Sequence, residues 1–338
     1  FTAQNWTTGE FDENGRPELV EEAVDLALYA VVPGPTGAHN WHPMAFNPDT
    51  GLVYIPVNEI PFFYDKTRNV EDSKSFWNIG YDAAAGWPVE YPAGTLDAVR
   101  DLDGGSLLAW DPVKAEPRWA VPFALPLNGG VLSTQAGLVF QGNKFGEFVA
   151  YDAETGERLW ADKLVGNAAA APMTYEIDGE QYLSVLSGWG SVSSLIAGFT
   201  YGEAKSKEPA RVITFKLGGD GDMPAALVDN VVRTPQSPMF GEPDQHQLGM
   251  QRYAESCHFC HGAFAVGGGV VPDLRWSALA GNEQAWDLVV REGALEKQGM
   301  VSFAGRLSKE DTDAIRAYVV QQAWLAVANG DALPPQDG

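Results

Sequence analysis

The first part of the chain alternates short apolar runs with turn residues, which is the pattern of β-strands. Two runs belong to a repeat, since Ala109-x-Asp111 followed by Trp119 recurs 41 residues later around Asp152 and Trp160. A period of about 40 residues with a terminal tryptophan is typical of four-stranded propeller blades. The pattern therefore predicts blades, with two unrelated hairpins as the alternative. The predicted strands include Leu52–Ile55, Leu107–Trp110, Leu138–Gln141, Phe148–Tyr151, Tyr182–Leu186 and Val212–Phe215.

The last part of the chain changes to helical spacing. Ser308 is followed by acidic residues and then by apolar residues three or four apart, which predicts a helix capped by Ser308. An earlier helix is predicted from about Gln247 into the region of Cys257, with Gly249 and Tyr253 on one face.

A stretch rich in Gly and Pro, with little periodicity, separates these two patterns. It predicts an extended linker. The expected organisation is a set of propeller blades in residues 1–217, a linker in 218–245 and an all-α domain in 246–338. At about 40–50 residues per blade, the first domain provides about four or five blades, which form an open arc. The exposed faces and edges of such an arc require a partner.

The 338 residues carry a formal net charge of -23, and the isoelectric point is near 4.4. Up to position 245 there are 34 acidic and 15 basic residues, against 11 and 7 beyond it. This field repels nucleic acid and anionic membrane surfaces, so neither is an expected partner. No apolar run is long enough for a membrane span, and the first residues lack the features of a signal peptide. We therefore expect a soluble chain that is either processed or a fragment.

The only two cysteines occur in the sequence Cys257-His258-Phe259-Cys260-His261. One helical turn with this spacing presents both thiols to the vinyl groups of a haem, while His261 reaches the iron. The motif thus predicts covalent haem c. A thioredoxin-like redox pair would need a βαβ context, and a zinc site would need a second pair of ligands. Because the thioether bonds form outside the cytoplasm, the motif also predicts a periplasmic location.

Met300 is the only methionine downstream of the motif, and it follows a glycine just before the last predicted helix. A thioether as the sixth iron ligand favours ferrous haem, so Met300 is the predicted distal ligand. The alternative is that Met300 fills a gap in the core. The carbonyl group of Pro272 is expected to accept the Nδ1 proton of His261. Such a closed haem supports electron transfer.

Four separated segments, at residues 37–44, 46–54, 128–134 and 150–157, resemble the quinohaemoprotein alcohol dehydrogenases. The resemblance covers essentially the whole chain, as the C-terminal half of such an enzyme. It implies a mainly β partial propeller, from an eight-bladed ring that binds pyrroloquinoline quinone and calcium, followed by an all-α cytochrome c domain. The N-terminal half of the ring, in the same or a separate chain, is the implied partner.

Within this resemblance, Asn40 and Trp41 match the pair that lies against the quinone. The alternative for Trp41 is packing between blades. Trp189 and Gly190 resemble a late propeller loop that approaches the cofactor, with a simple turn as the alternative. The family's calcium ligands and its catalytic base belong to the half that precedes Phe1, so no catalytic residue is assigned in this chain.

The expected function is oxidation of a small alcohol to an aldehyde or ketone by the quinone. Electrons then pass through haem c to an external acceptor such as a soluble cytochrome or a copper protein. This activity is expected only once the N-terminal half completes the ring. The alternative is a non-catalytic monohaem carrier attached to a partial propeller that docks partners. A purely structural propeller would require unmodified cysteines.

Overall fold

The computed structural model describes residues 4–21, 28–34, 36–65, 104–164, 166–188, 210–223, 225, 233–267 and 271–330. These residues form two compact units, a strand unit and a helical unit. The strands are β1 (Thr7–Phe11), β2 (Pro17–Leu19), β3 (Leu28–Val31), β4 (Ala45–Asn47), β5 (Leu52–Glu59), β6 (Phe62–Asp65), β7 (Gly104–Asp111), β8 (Glu116–Phe123), β9 (Val131–Ser133), β10 (Leu138–Gly142), β11 (Glu147–Asp152), β12 (Arg158–Lys163), β13 (Met173–Ile177), β14 (Glu180–Ser187) and β15 (Arg211–Lys216). The helices are α1 (Pro243–Ser256), α2 (His258–His261), α3 (Glu283–Val290) and α4 (Lys309–Ala328).

Three antiparallel sheets follow one another along the strand unit. Sheet I has the order β4-β5-β7-β8, sheet II the order β9-β10-β11-β12, and sheet III the order β13-β14-β15. The repeated Asp111 and Asp152 end the third strands of sheets I and II, and the repeated tryptophans lie in their fourth strands. The repeat therefore marks successive blades, and the predicted partial propeller is confirmed.

Tryptophan packing joins each blade to the next. The indole N–H of Trp119 donates to the Ala153 carbonyl group at 3.1 Å, and Tyr54 donates to the same oxygen at 3.0 Å. A Cβ atom at Gly156 would lie 2.7 Å from the Trp119 ring, so only glycine allows this contact. Trp160 meets Phe215 of sheet III edge-on, with 5.3 Å between the ring centroids. Each tryptophan thus packs on the blade that follows it.

In the helical unit, α1 and α4 cross at very short range. A Cβ atom at Gly249 would lie 2.0 Å from the Ala314 carbonyl oxygen, and the Tyr253 and Tyr318 rings lie 5.4 Å apart. The predicted face with Gly249 and Tyr253 is therefore the face that packs on α4. The crossing fixes the C-terminal end of α1, where the cysteine motif begins.

The two helix starts differ in how well the sequence predicts them. Helix α1 begins at Pro243, four residues before the expected start, because proline suits the first turn of a helix. The cap of α4 is confirmed, since Ser308 and Asp311 form a capping box. Of the helices in the described part of the chain, none has the length and apolar character needed to cross a lipid bilayer.

Candidate functional site

The cysteine motif lies at the junction between helix α1 and the short helix α2. The amide of Cys257 donates to the Tyr253 carbonyl at 2.8 Å, and the amide of His261 donates to the Cys257 carbonyl at 3.0 Å. Both thiols and the His261 ring are therefore carried by one turn of helix. Cys257 is buried, Cys260 is exposed, and both thiols are free. This is the arrangement that two thioether bonds to one haem require.

The ring of His261 is held by its outer nitrogen. Its Nδ1 lies 3.1 Å from the Pro272 carbonyl oxygen, so the expected hydrogen bond is confirmed. Burial lowers the pKa of His261, and the hydrogen bond to Pro272 opposes that change. A ring that donates through Nδ1 keeps the Nε2 lone pair for a metal, and the hydrogen bond fixes the plane of the ring.

Met300 lies beyond a short 3₁₀ turn and after Gly299, which has φ of 95°. Its side chain is partly buried and packs against the hydrophobic cluster that contains Tyr253, Cys257 and Phe303. The thioether thus borders the same cluster as the first cysteine. Its role as the distal iron ligand remains a prediction.

A buried ion cluster ties the motif-bearing helix to α4. Arg252 donates to Glu255 at 2.7 Å and to Asp311 at 2.8 Å, and Gln251 donates to the other oxygen of Glu255 at 3.1 Å. The Glu255 side chain is fully buried two residues before Cys257. The cluster therefore sets the position of the turn that carries the cysteines.

We expect Arg252→Met to lower the free energy of unfolding by about 3–5 kcal/mol, because it leaves two buried carboxylates without their cation. Lys309→Met is the control. Lys309 bridges Glu283 at 2.8 Å and Asp287 at 3.2 Å on a more exposed surface, so its loss should cost less than about 1 kcal/mol. Urea unfolding of the whole protein, followed by the haem absorbance, measures both. Equal losses would contradict a special role for the buried cluster.

In the strand unit, a leading segment precedes the first strand of each sheet: residues 36–44 before sheet I, 124–130 before sheet II and 166–172 before sheet III. The leading segment of sheet I contains Asn40 and Trp41, and both are exposed. Trp41 is 51% exposed, and its ring lies 4.8 Å from that of His42. The Asn40 amide donates to the Thr36 carbonyl at 2.7 Å and accepts from the Trp41 amide at 2.9 Å. One N–H of Asn40 and one face of Trp41 remain for a ligand.

The sequence analysis did not identify two titratable side chains at this segment, those of His42 and Lys144. Burial, helped by the positive charge of Lys144, lowers the pKa of His42 to about 4. Burial likewise lowers the pKa of Lys144 to about 8. At neutral pH His42 is therefore neutral and Lys144 mostly charged, so one positive charge acts on His42 in the leading segment of sheet I. The sequence feature that could have indicated these groups is Lys144, which lies in the turn directly after the largely buried strand β10.

The remaining predicted contacts, Trp189 and Gly190, lie outside the described residues. Their neighbour Gly188 is described, and its amide donates to the Asn167 carbonyl at 2.9 Å.

Comparison with known proteins gives matches to both units. A family model for the "Glucose/ethanol/alcohol dehydrogenase, beta-propeller domain" matches residues 104–183. A model for "Cytochrome C oxidase, cbb3-type, subunit III" matches residues 244–319. Quinohemoprotein alcohol dehydrogenase ADH IIB of Pseudomonas putida is 41% identical over 295 residues, which are 86% of this chain and 41% of that protein. ADH-IIG of the same organism is 38% identical over 340 residues, 97% of this chain and 46% of that protein.

Solved structures of quinohemoprotein alcohol dehydrogenases are also similar to this chain. The structure of ADH-IIG from Pseudomonas putida HK5 has a TM-score of 0.81 at 35% identity, covering 98% of this chain and 48% of that one. The quinohemoprotein alcohol dehydrogenase of Comamonas testosteroni has a TM-score of 0.73 at 34% identity, covering 96% and 47%. The chain is homologous to about half of a quinohaemoprotein alcohol dehydrogenase. The strand unit corresponds to propeller blades, and the helical unit to the cytochrome c domain.

The residues fit the cofactors of a quinohaemoprotein in two places. Two free thiols and an oriented imidazole on one helical turn suit haem c. An exposed indole face, a spare amide N–H and the charge of the partly buried Lys144, which acts on the adjacent His42, suit a planar quinone that carries carboxylates. Calcium is a different case, because no group of three His, Cys, Asp or Glu able to hold a metal ion occurs among the described residues. The expectation that its ligands lie outside this chain stays a prediction.

Proposed function

We propose that the chain is the C-terminal half of a periplasmic quinohaemoprotein dehydrogenase. It oxidises a small alcohol to an aldehyde or ketone and passes the electrons to an external acceptor. The observation that carries the proposal is the haem-binding turn, with His261 oriented by Pro272, in one chain with blades of the quinoprotein type. The N-terminal half of the ring is the proposed partner, and it contributes the calcium ligands and the catalytic base.

The overall reaction takes two electrons and two protons from the alcohol as its C–OH becomes C=O. When bound, the quinone supplies the two-electron oxidation and the haem supplies one-electron transfer. The residues of this chain would bind and orient the two cofactors. Trp41 would offer a flat apolar face to the quinone, Lys144 would offset its anionic charge, and Cys257 and Cys260 would fix the haem. His261 would hold the iron through Nε2, because its Nδ1–H donates a hydrogen bond to the Pro272 carbonyl group.

The test is reduction of the haem by an alcohol. Adding a primary or secondary alcohol to the complete, oxidised protein, loaded with pyrroloquinoline quinone and calcium, should convert its absorption spectrum to that of ferrous haem. The same protein without quinone is the control and should stay ferric. A protein that is reduced by dithionite but not by any alcohol, with the quinone bound, would contradict the proposal.

One observation favours the alternative of a non-catalytic carrier. Both amide atoms of Asn40 already stabilise their own loop, as a purely structural turn would need. In that case Trp41→Ala would leave electron transfer from every donor unchanged. In the proposed enzyme the same change slows haem reduction by alcohol and spares reduction by dithionite.

A further inference from the structure

The turn that directly follows His261, residues 262–265, has an unusual backbone conformation. Phe264 has φ of 54° and Ala265 has φ of 63°, so two adjacent residues with a Cβ atom lie in the left-handed region. Most positions of positive φ in the described part of the chain are glycines, because a side chain is strained there. Contacts from outside these two residues must therefore hold this strained turn in place.

The hydroxyl group of Tyr253 holds both ends of the strained turn. It donates to the Gly262 carbonyl oxygen at 2.7 Å, and the backbone amide of Ala265 interacts with the same hydroxyl oxygen. The Tyr253 ring is fully buried on α1, and its centroid lies 5.4 Å from that of Tyr318 on α4. The hydroxyl group is therefore carried by a rigid support, and its contacts span the strained turn from the first residue to the last.

The strained turn leads directly to the group that orients His261. A Cβ atom at Gly267 would lie 2.6 Å from the Asp273 amide nitrogen and 2.8 Å from the Pro272 carbonyl carbon. The backbone at Gly267 thus packs directly against the peptide group that joins Pro272 to Asp273. The oxygen of that same peptide group lies 3.1 Å from Nδ1 of His261. A shift of the strained turn is therefore expected to move the acceptor of the His261 hydrogen bond.

We infer that Tyr253 is a positioning residue of the haem site, whose hydroxyl group holds the strained turn and thereby maintains the hydrogen bond from His261 to Pro272. The inference rests on the proposed function, because it needs His261 to be an iron ligand. A hydrogen bond donated from Nδ1 makes the imidazole a more basic ligand, and a more basic ligand favours ferric over ferrous haem. Tyr253 should therefore lower the reduction potential of the haem.

The test compares Tyr253→Phe with Tyr318→Phe in the complete protein with its haem attached, by spectroelectrochemical titration. Phenylalanine keeps each ring and removes only the hydroxyl group. Tyr318 is the matched control, because its ring is also buried while its hydroxyl group has no hydrogen-bond partner among the described residues. Tyr253→Phe should raise the preference for ferrous haem about threefold, which raises the potential by about 30 mV, since a tenfold change corresponds to about 59 mV. Tyr318→Phe should leave the potential unchanged.

A second pair of variants tests whether the effect passes through the strained turn. Glycine adopts the left-handed conformation without a steric penalty, so a turn with Ala265→Gly does not need the Tyr253 hydroxyl group to hold it. Adding Ala265→Gly to Tyr253→Phe should therefore restore the potential of the unchanged protein. Ala263→Gly in the same background is the control, because Ala263 is also a buried residue of this turn but does not have positive φ. It should leave the potential raised.

The outcomes separate the two proposals. If Tyr253→Phe melts at a lower temperature but keeps the potential of the unchanged protein, its hydroxyl group serves the fold alone, and the inference is wrong while the proposed function stands. Equal shifts in Tyr253→Phe and Tyr318→Phe would also overturn the inference, because the effect would then come from the packing of α1 on α4. So would a shift that Ala265→Gly does not reverse. If the unchanged protein carries no covalent haem, the proposed function itself fails, and the inference fails with it.

Discussion

Replacing Cys257 and Cys260 together by alanine is expected to abolish covalent haem completely. The two residues are the only cysteines of the chain, and they share one helical turn with His261. With no thiol left, no thioether can form, and a haem held by His261 alone is lost on denaturation. Haem staining of a denaturing gel and the intact mass check the result, since the mass should fall by one haem.

His246→Ala serves as the matched control for this change. His246 lies on the same helix α1, where its Nε2 contacts the Phe240 carbonyl oxygen at 2.8 Å, and it has no place in the predicted ligand set. Its replacement should leave haem staining intact. A positive stain in the double cysteine variant would mean that the attachment is not by thioethers, and loss of haem in His246→Ala would mean that any disturbance of α1 prevents attachment.

Met300→Ala is expected to lower the haem reduction potential and to open the iron to added imidazole. A thioether ligand stabilises ferrous haem, and alanine offers no atom to replace it. Every tenfold loss of preference for the ferrous state lowers the potential by about 59 mV. Spectroelectrochemical titration of the whole protein measures the shift, and the absorption spectrum with imidazole reports the open position.

Met250→Ala is the control, because Met250 is also partly buried and packs against the same hydrophobic cluster. It should cost stability through the cavity it leaves, as Met300→Ala does, but should leave the potential and the spectrum unchanged. If both variants shift the potential equally, the effect comes from core packing. An unchanged potential in Met300→Ala would assign the sixth ligand to another residue.

Local patterns predicted much of the fold. Turns and caps are set by neighbours in the sequence, so the Asp111 and Asp152 turns and the Ser308 cap could be read directly. The Asp152 carboxylate accepts from the backbone amides of Glu154 and Thr155, each at 2.9 Å. The haem-binding turn was equally local, since a single helical turn determines its geometry.

Contacts between residues that are far apart in the sequence could not be predicted from the sequence alone. Arg252 meets an acid 59 residues away, and its charge gave no hint of burial. The same holds for His42, a polar residue in the segment before β4 that is only 2% exposed. Such burial depends on residues that are distant in the sequence, so a pattern read along one segment cannot reveal it.

The close crossing of α1 and α4 fixes the order in which this domain can be assembled. Gly249 of α1 meets Ala314 of α4, 65 positions later in the sequence, so the two helices cannot pack until α4 has been synthesised. In the packed domain Cys257 is buried, and this burial raises its pKa to about 12, which disfavours the reactive thiolate. We therefore expect haem to be attached at Cys257 before α4 packs on α1.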